Sequence, residues 1–234
     1  AAHDAAPADE DRAIPADEDP AVLDEALGRI FPDGFQSLSA ERRSVEIMRY
    51  TTSSLLLKSN GGSATKIIRE GYAICGGMSH VFRILCRKAG VPSRYVGAFY
   101  LRPLMGSHAI SEVYYGGKWH LFDATFGIFF YSREGYDGKG EVLSLHGLLA
   151  DPAAGTAMKV VPKPWVGTYD AAVRAFDVGP VEPGYLKENY GTPIMELYRK
   201  YLREAYPVVH REGDLISFSP SAQAYSELGR IKIA

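Results

Sequence analysis

Residues 71–79 read GYAICGGMS, and the helical pattern that decides the fold begins inside this stretch. From residue 75 onward the apolar positions step by three and four, as in a helix packed on a core: they are Cys75, Met78, Phe82, Leu85 and Ala89. Gly90 followed by Val91-Pro92 is a helix stop signal. The pattern predicts a buried helix that begins at or near Cys75.

A cysteine at the start of a helix lies where unpaired backbone N–H groups and the helix dipole favour negative charge. Such a setting lowers the pKa of a thiol and makes thiolate available near neutral pH. Gly76 and Gly77 follow at once, although glycine is a poor helix former. We interpret the two glycines as room for a substrate backbone to approach Cys75, the predicted nucleophile.

Three segments after this helix are rich in aromatic and β-branched residues and are predicted to be strands. They are Ser93 to Leu101, Ser107 to Tyr115 and Lys118 to Thr125. The last two are joined by Gly116-Gly117, which is a strong signal for a two-residue hairpin loop.

The predicted hairpin brings a histidine beside a carboxylate. With the two glycines as the loop, the facing pairs are Tyr115–Lys118, Ile110–Asp123 and His108–Thr125. His108 and Asp123 are then diagonal neighbours on one face, about 7–8 Å apart at Cα. A carboxylate that accepts one ring N–H fixes the tautomer and leaves the other nitrogen to face a thiol. His120 falls on the opposite face, so it is predicted to lie outside the site.

The stretch from residue 71 to residue 96 resembles the transglutaminase-like superfamily, in which the catalytic Cys opens a helix that ends in a Gly-aliphatic-Pro turn. Ser107-His108-Ala109 with Glu112-Val113-Tyr114 is similar to the His strand of that family. The run WHLFDAT at residues 119–125 is similar to its Trp-x-x-x-Asp-Pro-Thr strand. The resemblance covers about residues 71–127. Ile110 departs from the usual Trp, and Ala124 departs from the usual Pro.

By this resemblance Cys75 is the nucleophile, His108 the general base and acid, and Asp123 the residue that orients His108. It implies an α+β, papain-like fold with the nucleophile helix packed on an antiparallel sheet. The two departures lie beside the triad, so they affect the expected substrate more than the expected chemistry.

The rest of the chain suggests one domain with an appendage at each end. Residues 1–20 are rich in Ala, Asp, Glu and Pro and are predicted to form a flexible, solvated acidic arm. A single domain is predicted over residues 21–234, with its catalytic core at about 61–130 and a C-terminal extension at 131–234. Helices are expected from Ala21 to before Pro32, from Ala40 to about Leu57, and from Pro193 to Tyr206.

The composition narrows the possible partners. A formal net charge of −2 without a basic stripe argues against nucleic acid. No apolar stretch approaches the roughly 18 residues that span a bilayer. The N-terminus fits either a processed, exported protein or a trimmed chain, and we expect the first. The sequence does not indicate an oligomeric state.

The remaining thiol and histidines are assigned structural roles. Cys75 and Cys86 lie too far apart along one helix to form a disulfide, and Cys86 is predicted to be a core thiol. The spacing of Cys75, His80, Cys86 and His108 matches no closed zinc site, so neither a metal nor another cofactor is expected.

A Cys-His-Asp site forms a thioester from an amide or ester and releases an amine or alcohol. We expect hydrolysis of a peptide or related amide, because water requires no second binding site. Transfer to an amine, as in a transglutaminase or amide synthase, is the alternative, and a catalytically silent binding or assembly protein is a third. The Cys75 N–H is the first candidate oxyanion donor, with Tyr72 or Asn60 as candidate side-chain donors.

Overall fold

The computed structural model describes residues 5–57, 61–99, 107–125, 127–132, 140–145, 147, 156–159, 208–212 and 215–219. For several strand residues, His108 among them, it describes the backbone alone. The helix predicted at 193–206 and the candidate residue Asn60 lie outside the described residues. None of the described helices is long and apolar enough to cross a membrane.

Four helices are α1 (Pro20–Ile30), α2 (Ala40–Ser54), α3 (Ala64–Glu70) and α4 (Cys75–Lys88). The side chains of Asp19, Ser39 and Ser63 cap the first three helices by accepting backbone N–H groups. The predicted beginnings of α1, α2 and α4 agree with the structure to within a residue. Helix α2 ends three residues before the predicted Leu57, because Leu56–Leu57 forms strand β1 and pairs in parallel with β2 (Tyr72–Ala73).

The main sheet contains the three predicted strands, β3 (Ser93–Phe99), β4 (Ser107–Tyr115) and β5 (Lys118–Asp123). Beyond them come β6 (Ile128–Tyr131), β7 (Thr156–Lys159), β8 (Val208–Glu212) and β9 (Leu215–Ser219). The strand order is β7-β6-β5-β4-β3-β9-β8. All neighbours are antiparallel except β3 and β9, so the α+β prediction is confirmed and the sheet contains one parallel pair.

The β4–β5 hairpin has the predicted register. Tyr115 pairs with Lys118 and Val113 with His120, and the ladder continues to Ser111 and Phe122. Gly116 and Gly117 have φ values of 58° and 80°, which allow the two-residue loop. The described β4–β5 pairing ends there, so the predicted pairs Ile110–Asp123 and His108–Thr125 stay predictions.

Helix α4 packs on the sheet face that carries Ser111, Val113 and Phe122, and the other helices surround it. The rings of Phe82 and Phe122 lie 5.6 Å apart across this interface. The opposite face is also buried: Val96, Ile110, Trp119, Leu121 and Phe130 lie on it. The sheet is therefore covered on both sides around β4 and β5.

In the arm predicted for residues 1–20, most of residues 5–20 are exposed, but the segment is attached to the domain by several hydrogen bonds. The carbonyl of Ala5 accepts a hydrogen bond from Trp119 Nε1 at 2.9 Å, and that of Ala13 accepts one from Arg87 Nη1 at 3.0 Å. Glu18 is buried. Acidic composition favours solvation only where the carboxylates lack buried partners, and here Glu18 has them.

Candidate active site

Cys75 is the first residue of α4 and is partly buried, and neither it nor Cys86 forms a disulfide. The N-cap residue Ile74 has extended backbone geometry and, in the described structure, supplies no side-chain cap. Helix α4 thus begins without the Ser or Asp oxygen that caps the other three helices. The first-turn N–H groups and the helix dipole favour a negative charge at this position.

Within the described part of the chain, there is space beside Cys75 at the next residue of the helix. A Cβ built on Gly76 would meet no described atom within 4 Å. The side chain of Ile74 is 44% exposed, which places apolar surface directly before the thiol. The predicted role of Gly76 and Gly77, space for a substrate, is compatible with this geometry and stays a prediction.

A pair of buried serines joins helix α4 to strand β4, which contains His108. Ser79 Oγ lies 2.6 Å from Ser111 Oγ and 3.2 Å from the carbonyl oxygen of Ile110. Ser79 is one helical turn after Cys75, and Ile110 is two residues after His108. The contact joins α4 and β4 close to both candidate residues.

Helix α4 and strand β4 run in the same direction, which fixes where their first residues lie. Near the end of α4, Ser93 Oγ donates to the Arg83 carbonyl at 3.0 Å, and Ser93 pairs with Val113 late in β4. Near the beginning of α4, Ser79 contacts Ser111, earlier in β4. The beginnings of the two elements therefore lie at the same end of the sheet.

Asp123 is the last residue of β5 and reaches the same end of the sheet, because β5 is antiparallel to β4. It is 1% exposed, and one carboxylate oxygen accepts the Thr125 N–H at 3.0 Å. The Thr125 hydroxyl is buried and has no hydrogen-bond partner among the described residues. The side chain of His108 lies outside the described part, so its contacts with Cys75 and Asp123 stay predictions.

The His120 ring contacts two backbone carbonyls and one aromatic ring. One ring nitrogen contacts the Val142 carbonyl, and the other lies 3.1 Å from the Tyr115 carbonyl. Its ring stacks on Tyr115 at 3.6 Å between centroids. Its pairing with Val113 places it on the predicted face, opposite to that of Asp123.

His80 is engaged on both sides of its ring. Nε2 lies 3.2 Å from Glu18 Oε1, and Nδ1 lies 3.4 Å from Arg83 Nη2. Burial, followed by the nearby Arg83 charge, lowers the pKa of His80 below its usual range. Among the described residues, no group of three or more His, Cys, Asp or Glu side chains is arranged to hold a metal ion.

Cys86 is confirmed as a core thiol. It is 0% exposed, and burial raises its pKa well above that of an ordinary cysteine. Tyr72, one of the two candidate oxyanion donors, lies in β2 and is partly buried. Its proposed role stays a prediction.

Two features of this region were not anticipated from the sequence: the Ser79–Ser111 pair and the contacts of Glu18. The sequence contains a signal for the serine pair, since Ser79 lies on the same helix face as Cys75 and Met78. The partners of Glu18 lie 46 or more residues away, so no local pattern could reveal them.

Part of the chain is similar to known proteins. Residues 37–124 match the family model of the transglutaminase-like superfamily, a range that includes Cys75, His108 and Asp123. No curated protein matches the chain. A solved structure of a proposed cysteine protease from Cytophaga hutchinsonii is 20% identical, with a TM-score of 0.38 over 64% of this chain. The match spans 55% of that protein, so the two chains share only part of their length.

Proposed function

We propose that this chain, whose residues 37–124 match the family model of the transglutaminase-like superfamily, is an acyl-transfer enzyme that forms a thioester at Cys75. His108 is the proposed general base and acid, and Asp123 the residue that orients it. The observation that carries the proposal is the contact of Ser79 with Ile110 and Ser111, because it joins α4 one turn after Cys75 to the middle of β4, two to three residues after His108.

In the proposed reaction His108 takes the proton of Cys75, and the thiolate attacks the carbonyl carbon of an amide. The C–N bond then breaks, and His108 gives its proton to the leaving amine. The product is a thioester on Cys75. The backbone N–H of Cys75 is the proposed oxyanion donor, with Tyr72 or Asn60 as candidate side-chain donors.

The second half-reaction decides the class of enzyme. We favour attack by water, activated by His108, which releases a carboxylic acid and regenerates the thiol. Among the described residues beside Cys75, a Cβ built on Gly76 would meet no atom within 4 Å, and the side chain of Ile74 is exposed. Attack by an amine, giving a new amide, is the alternative because it uses the same thioester.

The first test measures alkylation of Cys75 by iodoacetamide from pH 4 to pH 9 in a Cys86→Ser background. We expect fast labelling well below pH 8, slowed by His108→Ala and unaffected by His80→Gln, which removes an imidazole away from the site. If labelling follows an ordinary thiol titration in both the parent and His108→Ala, the chain is instead a silent binding or assembly protein.

The second test separates hydrolysis from amine transfer. The probe is benzyloxycarbonyl-glycine p-nitrophenyl ester, which reports acylation as a burst of p-nitrophenolate. Hydrolysis predicts that the free acid stays the main product when glycinamide is added at millimolar concentration. A main product of benzyloxycarbonyl-glycyl-glycinamide would favour the amine-transfer alternative.

A further inference from the structure

We propose that Ser79 and Ser111 are positioning residues, whose hydrogen-bonded hydroxyls set the placement of Cys75 relative to His108. The proposal rests on the proposed function, because it concerns the alignment of that same thiol and imidazole. Neither serine is proposed to touch substrate.

The two hydroxyls lie within hydrogen-bond distance of each other and of backbone carbonyls on both elements, since Ser111 Oγ is also 3.5 Å from the Ser79 carbonyl oxygen. Both serines are buried, at 1% and 0% exposure, and their oxygens lie 2.6 Å apart. If Ser111 donates to Ser79 Oγ, the Ser79 hydroxyl is left to donate to the Ile110 carbonyl at 3.2 Å. Both protons are then used, and the helix is bonded to the strand side chain and the strand backbone at once.

Buried apolar side chains lie on both elements near the pair, together with the buried guanidinium of Arg83 over the Tyr95 ring. Met78, Phe82, Val113 and Phe122 are buried members of the core that surrounds the interface. Two small apolar side chains would avoid the cost of desolvating two hydroxyls. Hydrogen bonds are directional whereas apolar contacts are not, so the hydroxyl pair restrains sliding of α4 along β4.

The serine pair lies close to Cys75 along α4 and close to His108 along β4, so sliding at the pair would change the candidate site. One helical turn back from Ser79, about 6 Å along the axis, is Cys75. Two residues back from Ile110, about 7 Å along the strand, is His108. Because both steps run toward the same end of the sheet, a shift of the helix at Ser79 changes the distance between the backbones of Cys75 and His108.

The test uses Ser79→Ala, Ser111→Ala and the double variant in the Cys86→Ser background, with Ser111→Thr as the variant that keeps the hydroxyl. Ser44→Ala is the matched control, since Ser44 is a buried helical serine that donates to the Ala40 carbonyl at 2.8 Å. Three quantities are measured: the pH midpoint of Cys75 alkylation, kcat and KM for the p-nitrophenyl ester, and the thermal midpoint.

We expect both single variants to raise the alkylation midpoint toward about 8.5, the value of an ordinary thiol. Labelling at pH 6 and kcat should fall by about tenfold to a hundredfold, with KM little changed. The double variant leaves no hydroxyl unsatisfied, so it should regain thermal stability without regaining rate. Ser111→Thr keeps the hydroxyl and should keep the alkylation midpoint of the parent. Ser44→Ala should lower the thermal midpoint without changing the alkylation midpoint.

Two other results overturn the positioning role. One is a double variant with the midpoint and kcat of the parent, and the other is a Ser44→Ala variant whose rate falls in step with its stability. In both cases the parent would still show alkylation that depends on His108, and the proposed function would stand. If the parent shows no dependence on His108, the function fails and the positioning role fails with it.

Discussion

Glu18 and His80 are joined by a contact of 3.2 Å between Oε1 and Nε2 that attaches the N-terminal segment to helix α4. The Glu18 carboxylate also accepts the N–H groups of Ala64 and Thr65, at 2.7 and 2.8 Å, and so caps α3. One buried side chain from residues 5–20 thus holds two helices.

Glu18→Ala should destabilise the protein by about 2–3 kcal/mol, because two buried backbone N–H groups lose their acceptor. Asp17→Ala, at an exposed neighbouring position, should change stability by less than about 0.5 kcal/mol. Urea unfolding of both variants measures the difference. Equal, small effects would mean that the N-terminal segment contributes little to the fold.

His80 should make stability fall as the pH drops below about 6.5. Its pKa is lowered in the folded protein, chiefly by burial. The unfolded chain therefore takes up a proton first, and unfolding becomes easier until the pH passes the lowered value. In urea unfolding at pH 7.5, 6.5 and 5.5, His80→Gln should lose less stability on acidification than the wild type. Parallel pH profiles would contradict the lowered pKa.

The two thiols should differ sharply in reactivity, because Cys86 is fully buried with a raised pKa and Cys75 is partly buried at a helix start. Titration with Ellman's reagent should count one fast thiol in the native protein and two in guanidinium chloride. Cys75→Ala should leave none in the native state. A fast reaction in that variant would show that the core opens at Cys86.

Gly76→Ala should raise stability by up to about 1 kcal/mol, since a Cβ there meets no described atom within 4 Å and alanine favours helix. Acylation by the p-nitrophenyl ester should nevertheless slow by about tenfold or more, if substrate needs this space. Labelling by the small iodoacetamide should be nearly unchanged.

Gly28→Ala in α1 is the control for that experiment, because a Cβ at Gly28 likewise meets no described atom within 4 Å. It should stabilise the helix without changing acylation. Equal acylation rates in Gly76→Ala and the wild type would exclude close approach of the ester at Gly76.

Glu112→Gln should destabilise the protein by about 3–5 kcal/mol, because it leaves the buried Arg94 charge without its partner. Arg94 donates to Glu112 Oε2 through Nε and Nη2 at 2.9 and 2.6 Å, and its guanidinium stacks on Trp119. The exposed Lys118–Glu141 pair gives the control, since Glu141→Gln should cost at most about 1 kcal/mol.

The double variant Arg94→Met/Glu112→Leu should lose less stability than Glu112→Gln alone, since it removes both buried charges. Denaturant unfolding of the three variants checks this order. A Glu112→Gln variant no less stable than Glu141→Gln would mean that the buried pair is not coupled.

The sequence by itself determined the elements whose signals are local. The Gly116-Gly117 loop and the alternation of the flanking strands set the β4–β5 register, because the side-chain period of two allows no partial slip. The apolar spacing from Cys75 to Ala89 and the stop at Gly90 set the bounds of α4. These features place Cys75 at a helix start and His108 and Asp123 on neighbouring strands.

Only the tertiary structure decided what depends on contacts between distant segments. Residues 5–20 are ordered by partners on α3, α4 and β5, and α2 gives way to β1 because β2 supplies a parallel neighbour. Strand β9 joins β3 from the far end of the chain, and Ser79 meets Ser111 across the core. In each case the free energy comes from burial and hydrogen bonds between residues far apart in sequence, for which the local amino-acid pattern carries no signal.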